Sequence, residues 1–106
     1  MPLIKATDAD FKELIATNEK VVVKYYADWC GTCRLFAPKF KRMADDPQYA
    51  GVVFLDVNAE ESQEARKLAG VDNLPFFATF SKGNLAEGKA TSKEEKIIEM
   101  IKSLSV

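Results

Sequence analysis

Val21-Val22-Val23-Lys24-Tyr25-Tyr26-Ala27-Asp28-Trp29-Cys30-Gly31-Thr32-Cys33 is the stretch that decides the fold. Its first half is β-branched and aromatic, the composition of a central strand. Its second half is a Cys-x-x-Cys unit, after which Leu35, Phe36, Phe40 and Met43 supply an apolar helical face up to the break at Asp45-Asp46-Pro47. The cysteines therefore fall where a strand ends and a helix over residues 30–45 begins. Pro38 lies inside that helix and is expected to kink it, since proline lacks the N–H donor and crowds the preceding turn.

That placement has chemical content. A helix N-terminus carries unpaired N–H groups and a partial positive charge, and both stabilise a thiolate. The thiol of Cys30 is expected to titrate below the free value of about 8.5 and to act as the nucleophile. Cys33, one turn in, is expected to be shielded and to act as the resolving thiol, cleaving a mixed disulfide between Cys30 and a target. Gly31 permits the tight turn, and Thr32 completes the pair's spacing. A bare Cys-x-x-Cys is weak evidence taken alone. Half a zinc site has the same spacing, but zinc needs four ligands, and the chain has two cysteines and no histidine. Two alternatives stay open on spacing alone: a zinc site shared between two chains, and an inert buried pair.

Outward from this segment, strands alternate with helices. A short strand is predicted near Leu3 to Lys5, then a helix over 8–17 that Thr7 and Asp10 begin. A second apolar strand is expected over 52–57, a helix over 61–68 with Gly70 as its C-cap, and a third strand over 76–80. A turn at 81–84, a weak strand over 85–89, and a last helix opened by a Thr91–Glu94 capping box complete the order (β)αβαβαββα. The reading is α/β: a mixed sheet with helices on both faces, in one domain spanning residues 1–106.

Composition excludes several functions. The net charge of −1, from 15 basic and 16 acidic residues, provides no field to recruit nucleic acid or anionic lipid. The longest apolar run is far too short for a membrane span. Residues 1–6 lack the basic start and apolar core of a leader, so a cytoplasmic location is expected. In that reducing compartment a cysteine pair is catalytic, redox-sensing or metal-binding rather than a structural staple. The absence of histidine removes Cys–His catalysis and imidazole acid–base chemistry. No cofactor or metal is expected.

Trp29-Cys30-Gly31-Thr32-Cys33 after a hydrophobic strand resembles the Trp-Cys-Gly-Pro-Cys active site of the thioredoxin family. Pro38, Leu74-Pro75 and Ser81-Lys82-Gly83-Asn84 extend the resemblance over nearly the whole chain. It implies a central sheet of about five strands with four flanking helices. It also implies a cis peptide at Pro75 beside the cysteines, with the backbone at Leu74 and Pro75 pairing with a target peptide. Trp29 and Tyr26 read as packing and surface groups that flank the active site, and Phe76, Phe77 and Phe80 as core or groove residues. Glu60-Glu61 and Glu94-Glu95 read as helix first-turn acids.

Three departures stand out. Thr32 replaces the family's usual proline, which is expected to make the pair a weaker reductant. Phe76 replaces the threonine that commonly follows the cis-proline, the last strand looks shorter, and its expected glycine is displaced to Gly88 or absent. Lys24 stands where the family keeps a buried aspartate, and Asp56 where it keeps the partner lysine. The resemblance thus implies a charge-swapped pair behind Cys33. The plainer alternative is that Lys24 snorkels to a sheet edge.

The function implied is a protein thiol–disulfide oxidoreductase: a monomeric cytosolic disulfide reductase, acting on protein disulfides and re-reduced by thioredoxin reductase or a similar donor. One alternative is a specialised oxidoreductase with a dedicated partner and atypical potential. Another, of a different class, is a non-enzymatic binding module on the same fold.

Overall fold

The computed structural model describes residues 2–104. The apolar run becomes β2 (Lys20–Tyr26), the middle of five strands. The others are β1 (Ile4–Lys5), β3 (Val53–Asn58), β4 (Phe76–Ser81) and β5 (Asn84–Ala90), in the order β1-β3-β2-β4-β5. β1 and β2 run parallel to β3, whereas β4 is antiparallel to β2 and β5 antiparallel to β4. The helices are α1 (Phe11–Thr17), α2 (Gly31–Asp45), α3 (Gln63–Ala69) and α4 (Glu94–Ser103), with a 3-10 turn at Pro47–Tyr49. Among the described residues, the mixed five-stranded sheet with four helices matches the sequence reading.

The two-residue period of a strand divides β2 between two cores. Val21, Val23 and Tyr25 join Phe11, Ile15, Leu55, Val57, Ala65 and Phe80 on one side of the sheet. Val22 joins Phe36, Phe40, Phe54, Phe77, Ile97 and Met100 on the other. Lys24, two residues on from Val22, therefore points to the side where α2 and α4 pack. On α2 the buried set is Cys33, Phe36, Phe40, Met43 and Ala44. Leu35, expected in that stripe, lies about 100° around the helix from Phe36 and is 79% exposed.

Local signals were legible to within a turn. Thr7 and Asp10 do form the predicted start: Asp10 Oδ1 accepts from the Thr7 N–H and Thr7 Oγ1 from the Ala9 N–H, though regular helix begins only at Phe11. Gly70 caps α3 in the left-handed conformation at φ 66°. The Thr91–Glu94 capping box does not form. The Thr91 N–H donates to the Pro75 carbonyl, which ties Thr91 to the start of β4, and α4 begins at Glu94. Glu60 and Glu61 also precede their helix: the Asn58 side chain takes both their N–H groups in a turn, and α3 begins at Gln63.

Two tertiary features left no trace in local pattern. Asp8 accepts from the N–H groups of Glu64 and Ala65 at 3.1 and 2.9 Å, so the first turn of α3 is capped from 56 residues away. Ser62, the residue at the cap position, makes no such bond. Phe76 is buried edge-on against Tyr25 at 6.2 Å, and a Cβ at Gly88 would meet its ring at 3.0 Å. The phenylalanine after the proline is thus accommodated inside the fold, with Gly88 on β5 leaving it room. β5 itself spans seven residues, longer than expected.

Candidate active site

Cys30 is the N-cap of α2, with extended backbone, and its Sγ accepts a hydrogen bond from the Cys33 N–H at 3.2 Å. This follows from local sequence: the strand ends at Tyr26, residues 27–30 turn, with the Cys30 N–H bonded to the Ala27 carbonyl, and the helix starts at Gly31. The two cysteines are joined as a disulfide, with Cα atoms 5.3 Å apart. Ala27 completes their apolar cluster, and Tyr26 and Leu74 pack against it. This packing narrows the expected contrast in exposure: Cys30 is 6% and Cys33 2% exposed. What distinguishes the two sulfurs is the backbone donor and the helix end directed at Cys30.

The other predicted residues gather around this pair. The Leu74–Pro75 peptide is cis, and Leu74 packs on the cysteine cluster. Trp29 is 66% exposed, held by a 2.8 Å hydrogen bond from its indole N–H to Glu60 Oε2. Glu60 was missed as a site residue because its loop contact depends on how β3 and the loop after β2 are placed side by side. Gly31 and Thr32 are exposed in the first turn of α2.

Lys24 and Asp56 face one another across the β2–β3 pair, in direct register. Lys24 Nζ lies 3.3 Å from Asp56 Oδ1, at 3% and 11% side-chain exposure. The snorkelling alternative fails because β2 is a central strand rather than a sheet edge, and Lys24 is buried against Asp56. The contact is an ion pair rather than an aligned hydrogen bond, and Asp56 Oδ1 is buried without a hydrogen-bond partner. The Lys24 ammonium also lies 5.4 Å from the Tyr26 ring centroid and 5.7 Å from that of Phe40. Burial pushes the Asp56 carboxyl above its ordinary range, and the charges of Lys24 and Lys5 only partly offset this. Burial, helped by the Asp56, Asp28 and Glu61 charges, pushes the Tyr26 phenol up, so it stays neutral.

A cavity of about 390 Å³ opens beside Cys33, bounded by Lys5, Lys24, Tyr26, Asp28, Arg34 and Asp56. It places Cys33 and the buried ion pair on the walls of one space. Among the described residues no group of three or more His, Cys, Asp or Glu side chains converges as a metal site would require. None of the described helices is long and apolar enough to cross a membrane.

A vicinal cysteine pair at a helix N-terminus, beside a cis-proline loop and on a mixed sheet, defines a thiol–disulfide oxidoreductase. The thioredoxin family profile matches residues 2–103. The chain belongs to the thioredoxin family, whose members with this dithiol are protein-disulfide oxidoreductases. It is 35% identical to thioredoxin of Gallus gallus over 98 residues, covering 91% of each chain. It is 31% identical to Thioredoxin-T of Drosophila melanogaster over 101 residues, covering 94% of this chain but only 63% of that longer protein. Among solved structures, Fasciola hepatica thioredoxin superposes with a TM-score of 0.84 at 31% identity, covering 97% of this chain and 98% of that one. The short form of spinach chloroplast thioredoxin f shares the fold, with a TM-score of 0.90 at 22% identity and coverage of 99% and 95%.

Proposed function

We propose that this chain is a cytosolic disulfide reductase. The Cys30 thiolate attacks one sulfur of a protein disulfide, forming a mixed disulfide and releasing one target thiolate. Cys33 loses its proton and attacks the Cys30 sulfur, the second target thiolate leaves, and the Cys30–Cys33 disulfide remains. Two electrons from an external donor of the thioredoxin reductase type restore the dithiol. Leu74 and Pro75 border the target chain. Lys24 favours the Cys33 thiolate by its charge, and Asp56 takes the proton across the shared cavity.

The observation that carries this reading is Cys30 at the N-cap of α2, its sulfur receiving the Cys33 N–H. A thiolate there gains a charge-assisted hydrogen bond and the positive end of the helix. The test is reduction of insulin disulfides, first with dithiothreitol and then with NADPH and thioredoxin reductase. A Cys33→Ser variant is expected to accumulate mixed disulfides, and a Cys30→Ser variant none. Activity with neither donor, or the reverse trapping pattern, overturns the proposal. A second reading, a specialised oxidoreductase with its own partner, is favoured by Thr32 in the motif and by the inverted Lys24–Asp56 pair. Activity with dithiothreitol alone would select it.

A further inference from the structure

A target chain approaching Cys30 meets the loop before β4, so the state of that loop's backbone groups matters. Pro75 has no N–H, and its carbonyl is already taken by the Thr91 N–H at 3.2 Å. Leu74 lies outside the ladder, since β4 begins at Phe76, and packs on the cysteine cluster. Its N–H does not point free into solvent. It donates to the side-chain Oδ1 of the preceding residue, Asn73, at 2.9 Å, in an exposed position.

We infer that Asn73 is a specificity-determining residue: its carboxamide oxygen stands in for a target's backbone carbonyl at Leu74 and must be displaced before a polypeptide can pair there. This rests on the proposed role of Leu74 and Pro75 in bordering the target. The physical reason is competition for one donor. A target carbonyl that bonds the Leu74 N–H gains one amide hydrogen bond and breaks another of the same kind. Pairing at this point therefore adds little net affinity, and a polypeptide must be held by its remaining contacts. A small disulfide reaches the Cys30 sulfur without needing the Leu74 N–H, so it escapes the competition. Asn73 thereby biases the site against polypeptides that offer only a short extended backbone.

The experiment compares wild type with Asn73→Ala and Asn73→Asp, using insulin as the polypeptide disulfide and 5,5′-dithiobis(2-nitrobenzoate) as the small one. Asn73 is exposed and its φ is not positive, so both variants keep the fold, which circular dichroism checks. In Asn73→Ala the donor is freed, and the KM for insulin is expected to fall about threefold to tenfold with kcat unchanged, the worth of one ordinary hydrogen bond. Asn73→Asp keeps an acceptor, now charged, that holds the N–H more firmly, so its KM for insulin is expected to rise. Asn73→Ala leaves the rate with the small disulfide unchanged, whereas Asn73→Asp is read on insulin alone because its new carboxylate also repels the dianionic small disulfide. An unchanged or raised KM in Asn73→Ala, or parallel changes of Asn73→Ala with both disulfides, overturns the inference. Failure of wild type to reduce insulin at all would instead overturn the proposed function.

Discussion

Replacing Lys24 by methionine removes a buried cation and leaves Asp56 facing an apolar neighbour. At 3.3 Å the two charges attract by about 5 kcal/mol at an effective dielectric constant near 20. Much of that attraction offsets the desolvation of both groups, so the pair adds little net stability, while either single removal exposes the full penalty. We expect Lys24→Met and Asp56→Leu each to lose about 3–5 kcal/mol in urea unfolding, and the double variant to recover most of it. The coupling energy of the cycle, the two single losses together less that of the double variant, is then about 5 kcal/mol or more. The pH dependence has a definite sign. Burial raises the Asp56 carboxyl in the folded chain. Its proton is bound more tightly when folded, so its contribution to stability is complete below the unfolded carboxylate range and is lost as pH rises through the folded value. Without Lys24 that folded value climbs further. The penalty of Lys24→Met is therefore expected to be large at neutral pH and to shrink on acidification, as the carboxyl takes up its proton. A coupling below about 1 kcal/mol, or a Lys24→Met penalty that does not vary with pH, would refute the reasoning.

Thr32→Pro is expected to be the stronger reductant, measured by equilibrating both proteins with glutathione buffers; equal potentials, or a more oxidising proline variant, contradict this. Asp8→Ala strips the distant cap from α3 and is expected to cost about 1–2 kcal/mol in thermal or urea unfolding, while Ser62→Ala, at a cap position whose side chain makes no capping bond, costs clearly less. Gly88→Ala forces a methyl to within 3.0 Å of the Phe76 ring, which Tyr25 backs, and is expected to cost about 1–3 kcal/mol; Phe76→Thr in the same chain should relieve the clash. If Gly88→Ala unfolds at the wild-type midpoint, the close packing of β5 on Phe76 is not what holds that edge.

The sequence by itself determined the element order, the placement of Cys30 at a strand-to-helix junction, and the family. These rest on short-range signals: period-two and helical apolar spacing, a left-handed glycine at Gly70, and the turn-forming Thr7–Asp10 pair. It also raised the Lys24–Asp56 question, but strand pairing answered it, because only the β2–β3 register puts those residues opposite one another and only the central position of β2 keeps Lys24 away from a sheet edge. The same holds for the features that pattern reading missed. Asp8 reaches α3, Glu60 reaches Trp29, and Gly88 makes room for Phe76, each across an interval that no local rule spans. Thr91 shows the conflict directly: its local motif favours a helix cap, but its N–H is claimed by Pro75 in the assembled sheet. Hydrogen bonds within a turn can be read from neighbours in the chain, whereas those between elements exist only after packing has chosen which elements touch.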